Sequence, residues 1–286
     1  MKLLLLTAVT MIAFAANSVL NRAAVDSGLI DPSGFALIRV ISGALVLGMV
    51  LSVRRSGQAM QIFVRRRLVG ALSLSAYLIG FSMAYVSLDA GLGALILFGT
   101  VQVTMFVVAS LRGDQPAARQ MIGAGIAFLG LLIALWPGGQ VAATPTIGAA
   151  AMVFAGLGWA FYTLAGKAAK DPLAETAANF LCAVPFVALL MLGPQLDASF
   201  SGIFLAVLSG AVTSGLGYAL WYAVLPQLKA QTAAVVQLSV PIIAIIGGAV
   251  LLGEAVALKV VLATVLVVCG IALAVTVSKS SQAGRS

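Results

Sequence analysis

The sequence has no histidine, two cysteines and eight acidic residues, and each scarcity removes a class of chemistry. Without histidine, the common metal sites and the His-based nucleophilic triads have no ligand or base. Cys182 and Cys269 both fall inside apolar blocks, where a thiol reads as a small buried hydrophobe. Only 8% of the 286 residues are charged, against 62% hydrophobic, and mean hydropathy is +1.14. A soluble domain needs far more charge to cover its surface. The alternating segments of about ten residues that build a transmembrane barrel are missing as well. Carboxylates are missing from mid-block positions: Asp89, Asp114, Asp197 and Glu254 all stand at block ends. No strong built-in proton-coupling site is therefore expected, because such sites ordinarily use a buried carboxylate.

What the chain does have is apolar blocks of roughly 20 residues, which match a hydrocarbon core of about 30 Å at 1.5 Å per residue. They predict spans near 3–24, 32–53, 68–88, 90–111, 119–138, 146–166, 173–193, 202–225, 230–252 and 256–277. Short punctuated connections such as Asp31-Pro32, Arg65-Arg66-Arg67 and Pro137-Gly138-Gly139 leave no room for an extramembrane domain. The first block, with Met1-Lys2 and Ala13-Phe14-Ala15-Ala16, imitates a cleavable leader. It is read as span one, since its loss would leave nine spans. The fold class is an all-α membrane protein with ten transmembrane helices.

The formal charge of +8 does not imply nucleic acid, because the basic residues sit in the short connections. Thirteen Lys and Arg fall on one side and only Arg22 and Lys259 on the other, with Arg39 inside a span. The positive-inside rule then places both termini in the cytoplasm, as expected of a protein of the bacterial inner membrane.

A shift of 140 residues aligns Asp31-Pro32 with Asp171-Pro172, Gly113-Asp114 with Gly253-Glu254, and Gly130 with Gly270. Residues 1–138 and 139–286 thus read as two repeats of five spans, and an odd number inverts the second in the membrane. Inverted repeats are a transporter signature. Gly and Ala crowd spans 5 and 10, which predicts close packing, within a monomer or across a weak homodimer.

The stretch from Leu225 to Glu254, with Ala230, Ala233-Ala234, Pro241 and the closing Leu252-Gly253-Glu254, resembles the EamA domain of the drug/metabolite transporter superfamily. Ala90, Ala94 and Gly113-Asp114 form a degraded first copy in which Val101 stands where Pro241 does. The resemblance implies ten helices around a cavity lined mostly by helices 1, 3, 4, 6, 8 and 9, and an export role. The aromatic amino-acid and paraquat exporter branch looks most similar.

Polar side chains at mid-membrane are the site candidates. They are Asn17 and Asn21 on span 1, Tyr77 on span 3, Gln102 on span 4, and Trp159 and Tyr162 on span 6. Ser214 and Tyr218 follow on span 8, then Gln237, Ser239 and Pro241 on span 9, where the proline frees a carbonyl in mid-helix. Span 3 sets Ser73, Tyr77, Phe81 and Tyr85 on one face, with Tyr85 read as an interfacial belt residue, like Trp221 and Tyr222. Arg39 lies about 10 Å inside span 2. It either attracts a substrate carboxylate or snorkels outward to Asp31 or Asp26. Amides, hydroxyls and rings suit an uncharged or zwitterionic solute such as an amino acid, with no cofactor and no enzymatic constellation. A multidrug exporter of cations is the alternative.

Overall fold

The computed structural model describes residues 2–54, 65–111, 118–135, 145–166, 171–189, 196–224, 227 and 236–275. Ten helical segments run through them: α1 Lys2–Val25, α2 Pro32–Arg54, α3 Arg65–Ala84, α4 Ala90–Leu111 and α5 Ala118–Leu135. They continue with α6 Thr146–Gly166, α7 Pro172–Ala188, α8, α9 Ser239–Leu252 and α10 Leu258–Val275. The α8 segment is composite. An α-helical stretch Phe200–Leu208 passes into a π-helix Ser209–Leu216 and then back into Gly217–Val224. Among the described residues, the only β pairing is a single bridge between Ile30 and Ala198.

Sequence chemistry explains the ends. Asp31 Oδ1 accepts the Gly34 amide at 2.8 Å and Asp171 Oδ1 accepts the Ala174 amide at 3.2 Å, so each Asp-Pro pair is an N-cap followed by a proline at the first helical position. Gly253 ends α9 in the left-handed conformation (φ 67°), and the Glu254 amide bonds back to the Gly248 carbonyl. Pro241 is the third residue of α9, and Leu238 is a turn. The expectation of a carbonyl freed in mid-helix is therefore corrected: the proline sits where first-turn N–H groups have no helical acceptor anyway. Asp114 and the connection Leu225-Pro226 lie outside the described residues.

The bundle turns large apolar side chains outward and buries polar ones among its apolar core. Leu45, Met49, Phe204 and Val250 are each more than half exposed, whereas Thr10, Asn17, Asn21, Arg39 and Ser214 are buried. That inversion is what a lipid solvent demands. Among the described residues, six helices are by themselves long and apolar enough to cross a membrane, and four shorter apolar ones are Ala118–Ala134, Leu173–Ala188, Ser239–Leu252 and Leu258–Leu273. Cys269 lies exposed on the apolar exterior and Cys182 is half-buried, so the thiols are hydrophobes as expected, but not buried ones.

Packing joins α3 to α6 and α1 to α8, α4 to α6 and α9 to α1, and α2 to α8 and α7 to α3. The pairs α2–α7, α4–α9, α5–α10, α4–α5 and α2–α3 pack as well. The α5–α10 contact lies within one chain. A Cβ on Gly270 would strike the Ala127 amide and the Gly123 carbonyl, and one on Gly130 would lie 2.9 Å from the Ala263 carbonyl. Backbone cannot yield as a side chain can. Gly270→Val is expected to lower the melting temperature of the detergent-solubilised protein by several degrees, since overpacking costs about 1–3 kcal/mol. An unchanged melting temperature would show the two helices free to separate.

One end of the bundle is tied by ionic and backbone contacts. Arg22, near the end of α1, pairs with Asp26 at 2.8 Å, Asp89 at 3.5 Å and Glu254 at 3.3 Å, and donates to the Tyr85 carbonyl. Glu254 in turn accepts the Ala90 amide with both oxygens, at 2.9 and 3.0 Å, at the N-terminus of α4. Beside this cluster the α1–α2 and α7–α8 connections are strapped together, Asp31 N to Asp197 O and Ser199 N to Leu29 O.

Burial pushes the Glu254 carboxyl above the usual carboxylate range and Asp89 adds to this, against the opposing pull of the Ala90 amide and Arg22. A raised folded value means that the stabilising contribution is complete below the ordinary carboxylate pKa and is lost as pH rises through the raised one. Melting temperatures of wild type and Glu254→Gln, measured across that window, should show the wild type gaining on the variant as pH falls. Parallel curves would remove the claim.

Candidate functional site

At mid-bundle, aromatic rings from both halves of the chain meet. Phe14 of α1 stands edge-on to Trp159 of α6 (6.1 Å between centroids), Tyr218 of α8 (5.7 Å) and Trp221 (5.8 Å). Tyr77 of α3 and Tyr218 each lie 4.9 Å from Trp159. Leu97 and Phe98 of α4, Phe81 of α3 and the polar pair Asn17 and Ser18 complete the lining of a cavity of about 10 Å³. That is room for roughly one water.

The π-helical turn supplies the polar wall. In a helix with i→i+5 bonding, residues four and five apart share a face. The hydroxyls of Ser209, Thr213 and Ser214 accordingly all donate to Asn17 Oδ1 (2.9 Å from Ser209, 3.2 Å from Ser214). The α8 backbone reaches this position because Gly210 lies flat on α2: a Cβ there would meet the Arg39 carbonyl, the Ser42 hydroxyl and the Arg39 Cα. Tyr218, four residues beyond Ser214, continues the same face into α-helix.

Arg39 is fully buried beside this wall. Its Nε donates to Ser214 Oγ at 2.9 Å, and its Nη2 donates to the hydroxyls of Tyr77 at 2.9 Å and Tyr218 at 3.4 Å. The guanidinium carbon lies 5.2 Å from the Tyr77 ring centroid and 4.9 Å from that of Phe81. An arginine at mid-membrane costs about 3 kcal/mol on insertion scales, and a desolvated cation–π contact returns about 2 kcal/mol. The snorkelling reading is corrected: Asp26 is taken by Arg22 and Asp31 caps α2, while Arg39 stays inside on hydroxyls and ring faces.

Of the residues expected from sequence, Asn17, Tyr77, Trp159, Ser214, Tyr218 and Arg39 come together here. Tyr162 is buried next to Trp159, 5.5 Å between centroids. Asn21 lies one turn beyond Asn17 and donates to Ser82 at 3.0 Å. Gln102 and Gln237 are half-buried and Ser239 bonds back to the Val236 carbonyl at 2.7 Å; with Pro241 they lie outside the cavity lining, to which α9 contributes nothing. Two belt assignments are corrected. Tyr85 is 0% exposed, edge-on to Phe81, and Trp221 is 4% exposed, against Phe14; depth along a helix does not tell which way it faces. The Tyr222 side chain lies outside the described residues. Sequence reading missed Phe14, Phe98, Ser209 and Thr213 as lining or bracing residues. A phenylalanine in an apolar span carries no polar signal, and nothing in the sequence marks a π-turn.

Comparison with known proteins agrees with this architecture. A family model described as the EamA-like transporter family matches residues 146–276. An uncharacterized protein of Pseudomonas aeruginosa is 47% identical over 272 residues, covering 94% of this chain and 93% of its own length. An uncharacterized transporter of Archaeoglobus fulgidus is 25% identical over 216 residues, 72% of this chain and 75% of that one. A protein crystal structure shares the fold with a TM-score of 0.68, at 16% identity over 96% of each chain. The chain is a multi-pass membrane protein whose residues 146–276 carry an EamA-like transporter domain.

Proposed function

We propose that the protein is a secondary transporter that exports amino acids, aromatic ones included, or similar small metabolites by alternating access across the bacterial inner membrane, with both termini in the cytoplasm. The observation that carries this is the small mid-bundle cavity whose rings and hydroxyls come from α1, α3 and α4 on one side and α6 and α8 on the other. A cavity this small admits a solute only when the halves part.

Two inverted five-helix repeats would part in that way, and the packing supports them. Replacing each helix by the one five further on turns α3–α6 into α8–α1, α2–α8 into α7–α3 and α4–α6 into α9–α1, and carries α2–α7, α4–α9 and α5–α10 onto themselves, whereas α4–α5 has no such counterpart among the described residues. Such self-mapping is what an axis in the membrane plane produces. A single chain encloses the whole path, so a monomer suffices. Within the family, the ring-rich cavity favours the aromatic amino-acid side of the exporter branch that the sequence resembles, and the buried Arg39 charge opposes cationic drugs.

The test is exchange in proteoliposomes across a broad amino-acid panel. Saturable exchange that Trp159→Ala and Tyr77→Ala impair is expected; no exchange, or unsaturable flux, overturns the reading.

A further inference from the structure

The hydrogen-bonding capacity around Arg39 is unbalanced in one direction. A guanidinium carries five N–H donors and no acceptor. Nε and Nη2 spend theirs on Ser214, Tyr77 and Tyr218, whereas buried Nη1 has no partner among the described residues. Tyr218 O–H donates to the Tyr77 oxygen at 3.3 Å, which already accepts from Arg39, so the Tyr77 proton has no acceptor assigned to it. The Ser214 hydroxyl passes its own proton to Asn17 Oδ1, which also takes the protons of Ser209 and Thr213. Two donors of the cluster, Arg39 Nη1 and the Tyr77 hydroxyl, are thus left without an acceptor among the described residues. The cluster also carries a whole positive charge: among the described residues, no carboxylate lies within ion-pair distance of Arg39.

A group that satisfies both deficits is an acceptor-rich anion. The walls next to it say what the rest of the molecule is. Tyr77, Phe81 and Tyr218 contact the guanidinium and also line the cavity, whose other walls are the rings of Phe14, Phe98 and Trp159 together with Leu97, Asn17 and Ser18. An ammonium would find no carboxylate there to pair with.

We propose that the transported solute is a monocarboxylate anion with an aromatic or apolar body, its carboxylate received by Arg39 Nη1 and the Tyr77 hydroxyl, in preference to a zwitterion of the same shape. This rests on the transport reading above and narrows its substrate to a net negative charge.

The test uses the full chain in proteoliposomes and three matched probes: 3-phenylpropanoate, phenylalanine and 2-phenylethylamine. The expected result is saturable 3-phenylpropanoate exchange with a half-saturating concentration about tenfold below that of phenylalanine, the worth of one charge-assisted hydrogen bond, and no exchange of the amine. Arg39→Gln should weaken the anion about 100-fold or more, as loss of one partner of a buried charge pair does. Arg39→Lys should recover part of that, and Tyr77→Phe should cost about tenfold. Should Arg39→Gln fail to fold, the wild-type preference among the three probes decides alone.

Phenylalanine exchanging as well as or better than the anion, or an Arg39→Gln protein indifferent to the carboxylate, overturns the anion inference and leaves transport standing. Competition by chloride or nitrate equal to that of 3-phenylpropanoate also overturns it, by making the site one for small inorganic anions. No exchange by these probes or by the amino-acid panel removes the transport reading itself.

Discussion

Phe14→Ala is expected to abolish most transport and to lower the melting temperature of the purified protein as well, although Phe14 bears no polar atom. Phe14 is 5% exposed and its ring makes edge contacts with Trp159, Tyr218 and Trp221, so it touches aromatic groups of both α6 and α8. Truncating a buried phenylalanine costs about 3–5 kcal/mol when the site does not collapse. The surrounding indoles and phenols are rigid, so collapse is poor here, and they lose their common spacer. Trp221→Ala should then be nearly as damaging as Trp159→Ala, because both indoles rest on the same ring. Transport assays on the three variants at matched expression check this. If Trp221→Ala transports like wild type while Trp159→Ala does not, the ring cluster is not one mechanical unit.

Phe14 also marks what sequence could and could not say. The 140-residue offset pairs it with Phe154, yet Phe14 lines the cavity and Phe154 is 52% exposed on the apolar exterior. Positions paired by a sequence offset need not have equivalent neighbours, and hydropathy is blind to which side of a helix meets lipid, because lipid and protein interior are similarly apolar. Spans were legible because a 30 Å hydrocarbon slab imposes its length on the chain; α6 begins and ends where the hydropathy says. Caps were legible because Asp-Pro has one local meaning. Candidate polar residues could be found by their cost in a membrane, and Asn17, Arg39, Tyr77 and Ser214 do converge. Gln102 and Gln237, chosen on the same ground, do not line the cavity, since cost alone carries no direction. The partners of Arg39 were out of reach for a further reason: Ser214 is brought to it by a π-turn, a register change that no residue pattern in α8 announces.

That π-turn gives the second large effect, from Asn17→Leu. The Asn17 Oδ1 atom is the common acceptor for Ser209, Thr213 and Ser214, which share one face of the wide turn. Leucine matches the volume but accepts nothing, and three buried hydroxyls lose their shared partner. Thr213 already bonds to the Ser209 carbonyl at 2.9 Å, and the two serines can turn to backbone carbonyls in the same manner. The cost in stability is therefore smaller than three orphaned hydroxyls would suggest, about 1–3 kcal/mol. The cost to function is larger, because nothing then fixes Ser214 and Tyr218 in the register that meets Arg39. Transport should fall about 100-fold, which corresponds to under 3 kcal/mol. Amides of residues 209–216 should exchange with deuterium faster than those of α6, whose helix makes no use of Asn17. Asn17→Asp separates the two roles of this position. It keeps an acceptor for the hydroxyls, so amide protection should return, while its negative charge next to Ser214 offsets that of Arg39 and should leave uptake of a carboxylate impaired. Protection lost in both variants would mean that the side-chain amide nitrogen, not the shared oxygen, braces the turn.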